Sequence, residues 1–260
     1  MRERPEVFAW PIPTIATDTA WHGDVLVNGT VNVERGAVLS LSPSTRALFA
    51  KDAGITVRGT IRALGEKDAP ITFAGAEGGE SVVWDEILID KGTGSSFSFC
   101  SFANANWALH SHFTDLKVDS CTFMHNYGGI RFTSGPVEIK RSLFRTNEIG
   151  IRSFRGTAFI TKNRITENRI GVFVREKGSG LAIRKNDLYG NSEYNIRLGD
   201  FNDEDVDARE NWWGKGDPLA TIFDGRSEPG IGMVLFEPVA KEPFVPASGK
   251  TSQNVGEVGK

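Results

Sequence analysis

Between Asn106 and Asn191 the chain alternates apolar and polar residues in short runs, and the runs recur. Set in register they read NWALHSHFTDLKVDSCTFMHN, YGGIRFTSGPVEIKRSLFRTN, EIGIRSFRGTAFITKNRITEN and RIGVFVREKGSGLAIRKNDLYGN. The closing asparagines, Asn126, Asn147, Asn168 and Asn191, fall 21, 21 and 23 residues apart. A period in the twenties signals a solenoid, in which each unit buries its apolar face against its neighbours. Within a unit, runs such as Val137-Glu138-Ile139 and Ala158-Phe159-Ile160 alternate every second residue and are cut by Gly and Asn. That is the period of a strand, not of a helix. Leucine-rich-repeat spacing is missing. The pattern predicts an all-β chain wound as a right-handed parallel β-helix.

Stacking then follows from the period, because residues one coil apart sit about 4.8 Å apart along the axis. One apolar ladder is expected through Leu109, Ile130, Ile151, Val172 and Ile196. A second runs through Phe102, Phe123, Phe144, Ile165, Leu188 and Trp213, and a third through Phe97, Val118, Ile139, Ile160, Ile183 and Ala208. A polar row, Cys100, Cys121, Ser142, Asn163, Asn186 and Asn211, lies between them, with the Asn126 row at the next corner. Stacked asparagine amides can bond up and down such a column, so inward polar groups need not go unpaired. Each Asn-x-x-Gly that follows (Gly129, Gly150, Gly171, with Asn195 in the next place) predicts a bend at positive φ.

Outside the regular part the chain is looser. Residues 1–22, with three prolines, Trp10 and Trp21, read as an N-terminal cap over the open first coil. Residues 23–240 form the β-helix, ending in a closing coil around Asn211-Trp212-Trp213-Gly214. Residues 241–260, rich in Pro, Ser, Gly and charge, read as a flexible tail or external strap. Asn-Trp-Trp-Gly, the Ile222-Phe223-Asp224-Gly225 stretch and the Val234-Leu235-Phe236-Glu237-Pro238 ending carry a resemblance. So does Gly59-Thr60-Ile61-Arg62-Ala63-Leu64-Gly65, with Ala69-Pro70-Ile71-Thr72-Phe73 after it. Over roughly residues 21–240 the chain resembles bacterial right-handed parallel β-helix repeat proteins of the pectin-lyase-like superfamily, the NosD-like carbohydrate-binding and sugar-hydrolase group. The resemblance implies the fold and a carbohydrate-related role; the fold itself carries lyases, hydrolases, epimerases, adhesins and scaffolds.

Charge changes the picture once it is divided. The chain of 260 residues has a net charge of −3, yet residues 127–186 hold 13 Lys/Arg against four Asp/Glu. Residues 64–90 and 192–210 each hold seven acids, so basic middle coils lie between acidic flanks. No apolar run approaches a membrane span, and the first residues, Met-Arg-Glu-Arg-Pro-Glu, lack the apolar core of an export signal. A periplasmic or extracellular location is expected if such a signal has been removed. Two cysteines, Cys100 and Cys121, give no disulfide framework and read as free buried thiols.

Candidate chemistry lies on the outer face. The row one place after the Leu109 ladder is His110, Arg131, Arg152, Phe173, Arg197. Guanidinium groups at strand spacing repel unless acids or an anionic ligand lie among them. Tyr189 and Tyr194, with Phe201 and Trp212, are candidate sugar platforms beside it. Asp200, Asp203, Glu204 and Asp205 have oxygen ligands suited to Ca²⁺ as a cofactor, but lack the spacing of a known Ca²⁺ loop. His110 and His112, with Asp115 or His125, could only begin a metal site, and no metal is assigned. Superfamily enzymes act through outward carboxylates and often an Arg base. Their Asn-Thr-Asp, Asp-Asp, Gly-His-Gly and Asp-Pro-His motifs are missing here. The expectation is a non-catalytic exported protein that holds an anionic polysaccharide or an acidic protein surface, with no nucleic acid partner. A polysaccharide lyase or hydrolase with an atypical site near Asp200–Asp207 and Arg197, and a structural scaffold, are the alternatives.

Overall fold

The computed structural model describes residues 14–76 and 83–244, and residues 6–8 as backbone. Up to Val206–Asp207 strands alternate in turn among three parallel sheets, of nine, ten and ten strands, and every neighbour in a sheet comes from the adjacent coil. This is a right-handed β-solenoid of about nine turns. The pairing follows the apolar ladders residue for residue: Leu109 with Ile130, Ile130 with Ile151, Ile151 with Val172, Val172 with Ile196. Phe102, Phe123 and Phe144 stack with ring centroids 4.7 Å apart and planes within a few degrees. Alternation puts one side chain of each pair into the core, and burying it supplies the drive to coil.

Both polar columns face inward. Asn163 Nδ2 donates to Asn186 Oδ1 at 3.0 Å and to the Ile139 carbonyl at 2.9 Å, while its Oδ1 accepts from the Ser142 amide. Asn126, Asn147, Asn168 and Asn191 form the second column, with amide-to-amide bonds of 2.7–3.0 Å that end on Asn195 Oδ1. The residue before each of these asparagines has positive φ, whatever its type: His125, Thr146, Glu167 and Gly190 in one column, Lys162, Lys185 and Glu210 in the other. A left-handed residue costs a non-glycine about 1–2 kcal/mol, which the side-chain bonds to the turn backbone offset.

The glycines of Asn-x-x-Gly do something other than expected. Gly129, Gly150 and Gly171 lie inside strands without positive φ, and so does Asn195. What excludes a side chain is the next coil: a Cβ on Gly129, Gly150 or Gly171 would lie 2.5–2.6 Å from a carbonyl oxygen of Gly150, Gly171 or Asn195. Gly150→Ala must therefore push two coils apart. It should lower stability by roughly 1–3 kcal/mol, as overpacking does, read as a lower denaturant midpoint; an unchanged midpoint would show that the coils yield freely.

Cys100 and Cys121 are buried and unbridged, each with its thiol near a backbone carbonyl. Burial, and then the neighbouring Cys121, push the Cys100 thiol well above its ordinary range. Neither cysteine should react with a thiol reagent until the protein unfolds, after which two should be counted; a two-proton mass deficit in the unreduced protein would contradict this.

At the ends the boundaries shift. The expected cap at 1–22 already contributes strands, Glu6–Phe8, Thr14–Ile15 and Thr19–Trp21, one to each sheet. The solenoid thus starts before residue 23, because Ile15 and Trp21 are apolar enough to enter the core. Residues 1–5 and 9–13 of that segment lie outside the described residues. Trp213 plugs the last coil. Of the tail, Lys241–Phe244 are described, and the Phe244 amide donates to buried Asp187; residues 245–260 lie outside the described part.

Candidate functional site

The second sheet carries the site on its outer face, through strands Trp84–Asp90, Ala105–His112, Gly128–Thr133, Ile149–Phe154, Ile170–Glu176 and Tyr194–Phe201. Pairing confirms the predicted row: His110 opposes Arg131, Arg131 opposes Arg152, Arg152 opposes Phe173, and Phe173 opposes Arg197. Beside it, two residues along each strand, run His112, Thr133 and Phe154. On the other side is an apolar column outside the core, Trp107, Gly128, Ile149, Ile170 and Tyr194. Here a glycine is required by approach: a Cβ on Gly128 would lie 2.2 Å from the Trp107 ring, which lies flat over it. The Arg131 guanidinium stacks 5.1 Å from the indole centroid.

Six side chains, His110, His112, Arg131, Arg152, Phe154 and Arg175, dominate an open pocket of about 320 Å³. Arg175 was missed in the sequence. It stacks 5.3 Å from the Phe154 ring and so turns toward Arg152 and Arg131. Glu86, beneath one end, binds Arg131 at 2.7 Å and His110 Nδ1 at 3.0 Å. Burial raises the Glu86 carboxyl, but bonds and charge from His110 and Arg131 outweigh it and hold the group below its usual range. The far ring nitrogen, His110 Nε2, lies 2.8 Å from His112 Nε2. Burial first, then the charges of His110 and Arg131, depress His112. Arg152 is likewise lowered by burial, then by Arg175 and Arg131.

The basic coils are balanced in large part by acids of their neighbouring coils, including the acidic flanks. Stacking puts residues 21 to 26 positions apart at strand spacing, so flank acids reach directly across. Ten of the thirteen Lys and Arg in 127–186 have a carboxylate within 4.0 Å, many of them from the next coil: Arg141 on Asp119, Arg169 on Glu148 and Glu193, Lys177 on Asp203, Arg184 on Asp207. Arg152, Arg175 and Lys162 have none among the described residues, and the first two share the pocket.

Other predicted residues are placed elsewhere. Arg197 belongs to the row but is closed off: Glu193 pairs with it, and Phe173 and Phe223 flank its guanidinium. Tyr194 ends the apolar column against Phe223. Tyr189 lies on the first sheet, edge-on to Trp212, and does not share this face. The acidic loop is engaged within the fold: Asp203 and Glu204 with Lys177, Glu204 also with Ser179, and Asp205 with the Met233 amide. His125 turns to Thr146 at another corner. Among the described residues no group of three or more His, Cys, Asp or Glu could hold a metal ion, and no helix is long and apolar enough to cross a membrane.

Comparison with known proteins agrees with the fold. The family described as right handed beta helix region matches residues 103–215, the coils that hold the pocket. The described chain has the right-handed β-helix fold that this family model describes, and that fold supports a carbohydrate-related or scaffold role at most. No curated protein matches the chain.

Proposed function

We propose that this protein binds an anionic glycan at the Arg131–Arg152–Arg175 pocket and performs no chemistry on it. One observation carries the reading: Arg152 and Arg175 lack a carboxylate while nearly every other cation of the middle coils has one. The partly buried Arg152 guanidinium and the exposed Arg175 beside it repel each other, and an external oxyanion, which a planar Arg fork binds in bidentate fashion, completes them. Glu86 closes the row at one end and Glu193 at the other. The open window therefore suits a single uronate or sulfate group with its sugar ring toward Phe154, rather than a polymer laid along the whole axis. An exported location goes with such a ligand.

The test is retention on immobilised polygalacturonate and dextran sulfate against uncharged dextran, across a salt series. Binding to the anionic matrices only, falling as salt rises, is expected; equal behaviour on all three would end the proposal. A second reading has one observation in its favour, the Glu86–His110–His112 chain, which is an acid–base arrangement. Two-carboxylate hydrolysis is poorly served, because no carboxylate lines the pocket itself. Release of unsaturated or reducing ends from either polymer would move the assignment to an enzyme.

A further inference from the structure

The contact between His110 and His112 limits how many protons the pair can hold. Two ring nitrogens 2.8 Å apart are within hydrogen-bond reach, and such a contact contains one hydrogen. On the other side of His110, Nδ1 meets the ionised Glu86 carboxylate at 3.0 Å, which can only accept. His110 Nδ1 therefore carries a hydrogen. Two states fit this geometry: both rings neutral, with His112 Nε2 donating to His110 Nε2, or the pair carrying one extra proton. A second extra proton would set two N–H groups against each other and part the rings.

Charge around the pair decides between the two states. From the strand before, Glu86 and Asp90 favour the charged pair; Asp90 opposes His112 in register. From the strands after, Arg131 and Arg152 disfavour it, as does Arg175 at the pocket wall. Thr133, Phe132 and Phe113, the other residues beside the rings, are uncharged. An oxyanion between Arg152 and Arg175 cancels the repulsive side of this balance and leaves the attractive side in place.

We propose that the pocket is a proton-coupled oxyanion site, in which capture of the anion loads one proton onto the His110–His112 pair. The inference rests on the anion-binding reading of the same pocket. Coupling is reciprocal, so acid must tighten anion binding as the anion favours protonation. The sign follows from the charges: the anion favours the charged state of the pair, so affinity rises as pH falls through the histidine range.

Calorimetric titration with sodium sulfate and with digalacturonate, at constant ionic strength from pH 5.5 to 8, reads the coupling. Both probes keep their charge over this range. Affinity should rise by up to about tenfold per pH unit lowered, the limit for one linked proton. Titrations in two buffers of different ionisation enthalpy should report proton uptake approaching one. His112→Gln, which removes the second ring of the pair, should give a flat pH profile for whatever binding it retains. Ring-nitrogen NMR of the intact protein on sulfate addition gives the same information without any substitution, as a shift of both ring systems toward the protonated form. Parent binding with a flat profile, or His112→Gln keeping the slope, would overturn the coupling and leave the site standing. No binding of either probe at any pH would overturn the site and the coupling together.

Discussion

The double substitution Arg152→Ala with Arg175→Ala is expected to abolish retention on polygalacturonate at physiological salt while leaving the unfolding midpoint unchanged. Neither guanidinium has a carboxylate to abandon, so their removal orphans no buried acid. What the fold loses is ring contact, Arg152 over Phe173 at 5.6 Å and Arg175 over Phe154 at 5.3 Å, and what it gains is relief of repulsion. Hydrogen bonds to charged groups contribute about 1.5–3 kcal/mol each, so losing two should weaken binding by about a hundredfold or more. Arg131→Ala is a poorer probe, because it strips Glu86 of a partner and Trp107 of its stacked guanidinium, and so disturbs the fold as well as the site. A double mutant retained as strongly as the parent would remove the pocket from consideration.

A second large effect belongs to the core. Asn163→Leu should destabilise the protein by about 2–4 kcal/mol, because leucine leaves the Ser142 amide and the Ile139 carbonyl buried without those bonds. The neighbouring Asn186 retains its bonds to Asn211 and to the Ile160 carbonyl, so damage should stay local. Urea unfolding of the variant beside Lys162→Ala, an exposed change at the adjacent residue, separates the ladder from general sensitivity of the turn. Equal midpoints for Asn163→Leu and the parent would mean the column contributes nothing net.

The sequence announces the ladders because each member repeats the chemistry of the one before: apolar over apolar in the Leu109 column, amide over amide from Asn126 to Asn191. The row His110–Arg131–Arg152 is visible for the same reason. Arg175 is not, since its column holds His112, Thr133 and Phe154, and a lone cation among unlike neighbours leaves no pattern. Glu86 hides behind a coil of different length and a register shift between Glu86 and Ile87, which breaks the count that would have set it near Arg131. Distance along the chain also hides the charge pairing: Asp203 looks far from Lys177 when counted in residues, yet stacking makes them neighbours. The glycines illustrate an ambiguity of another kind, since Asn-x-x-Gly fits a left-handed bend and a close carbonyl equally well; only the coil-to-coil approach at Gly150 separates the two.

The asparagine columns also act as a ruler for length. Each inward amide addresses the coil before it and the coil after it by the same bonds, so a whole 21-residue unit such as 148–168 can be duplicated or lost with Asn147 simply meeting the next asparagine. A change of one residue within a strand has no such escape, because it would carry the side chains that follow it in that strand to the wrong face. Growth of this solenoid is therefore quantised in turns. The pocket is the exception: its members are drawn from successive coils with unlike residues, so an added turn between Arg131 and Arg152 would lengthen the tube and divide the site.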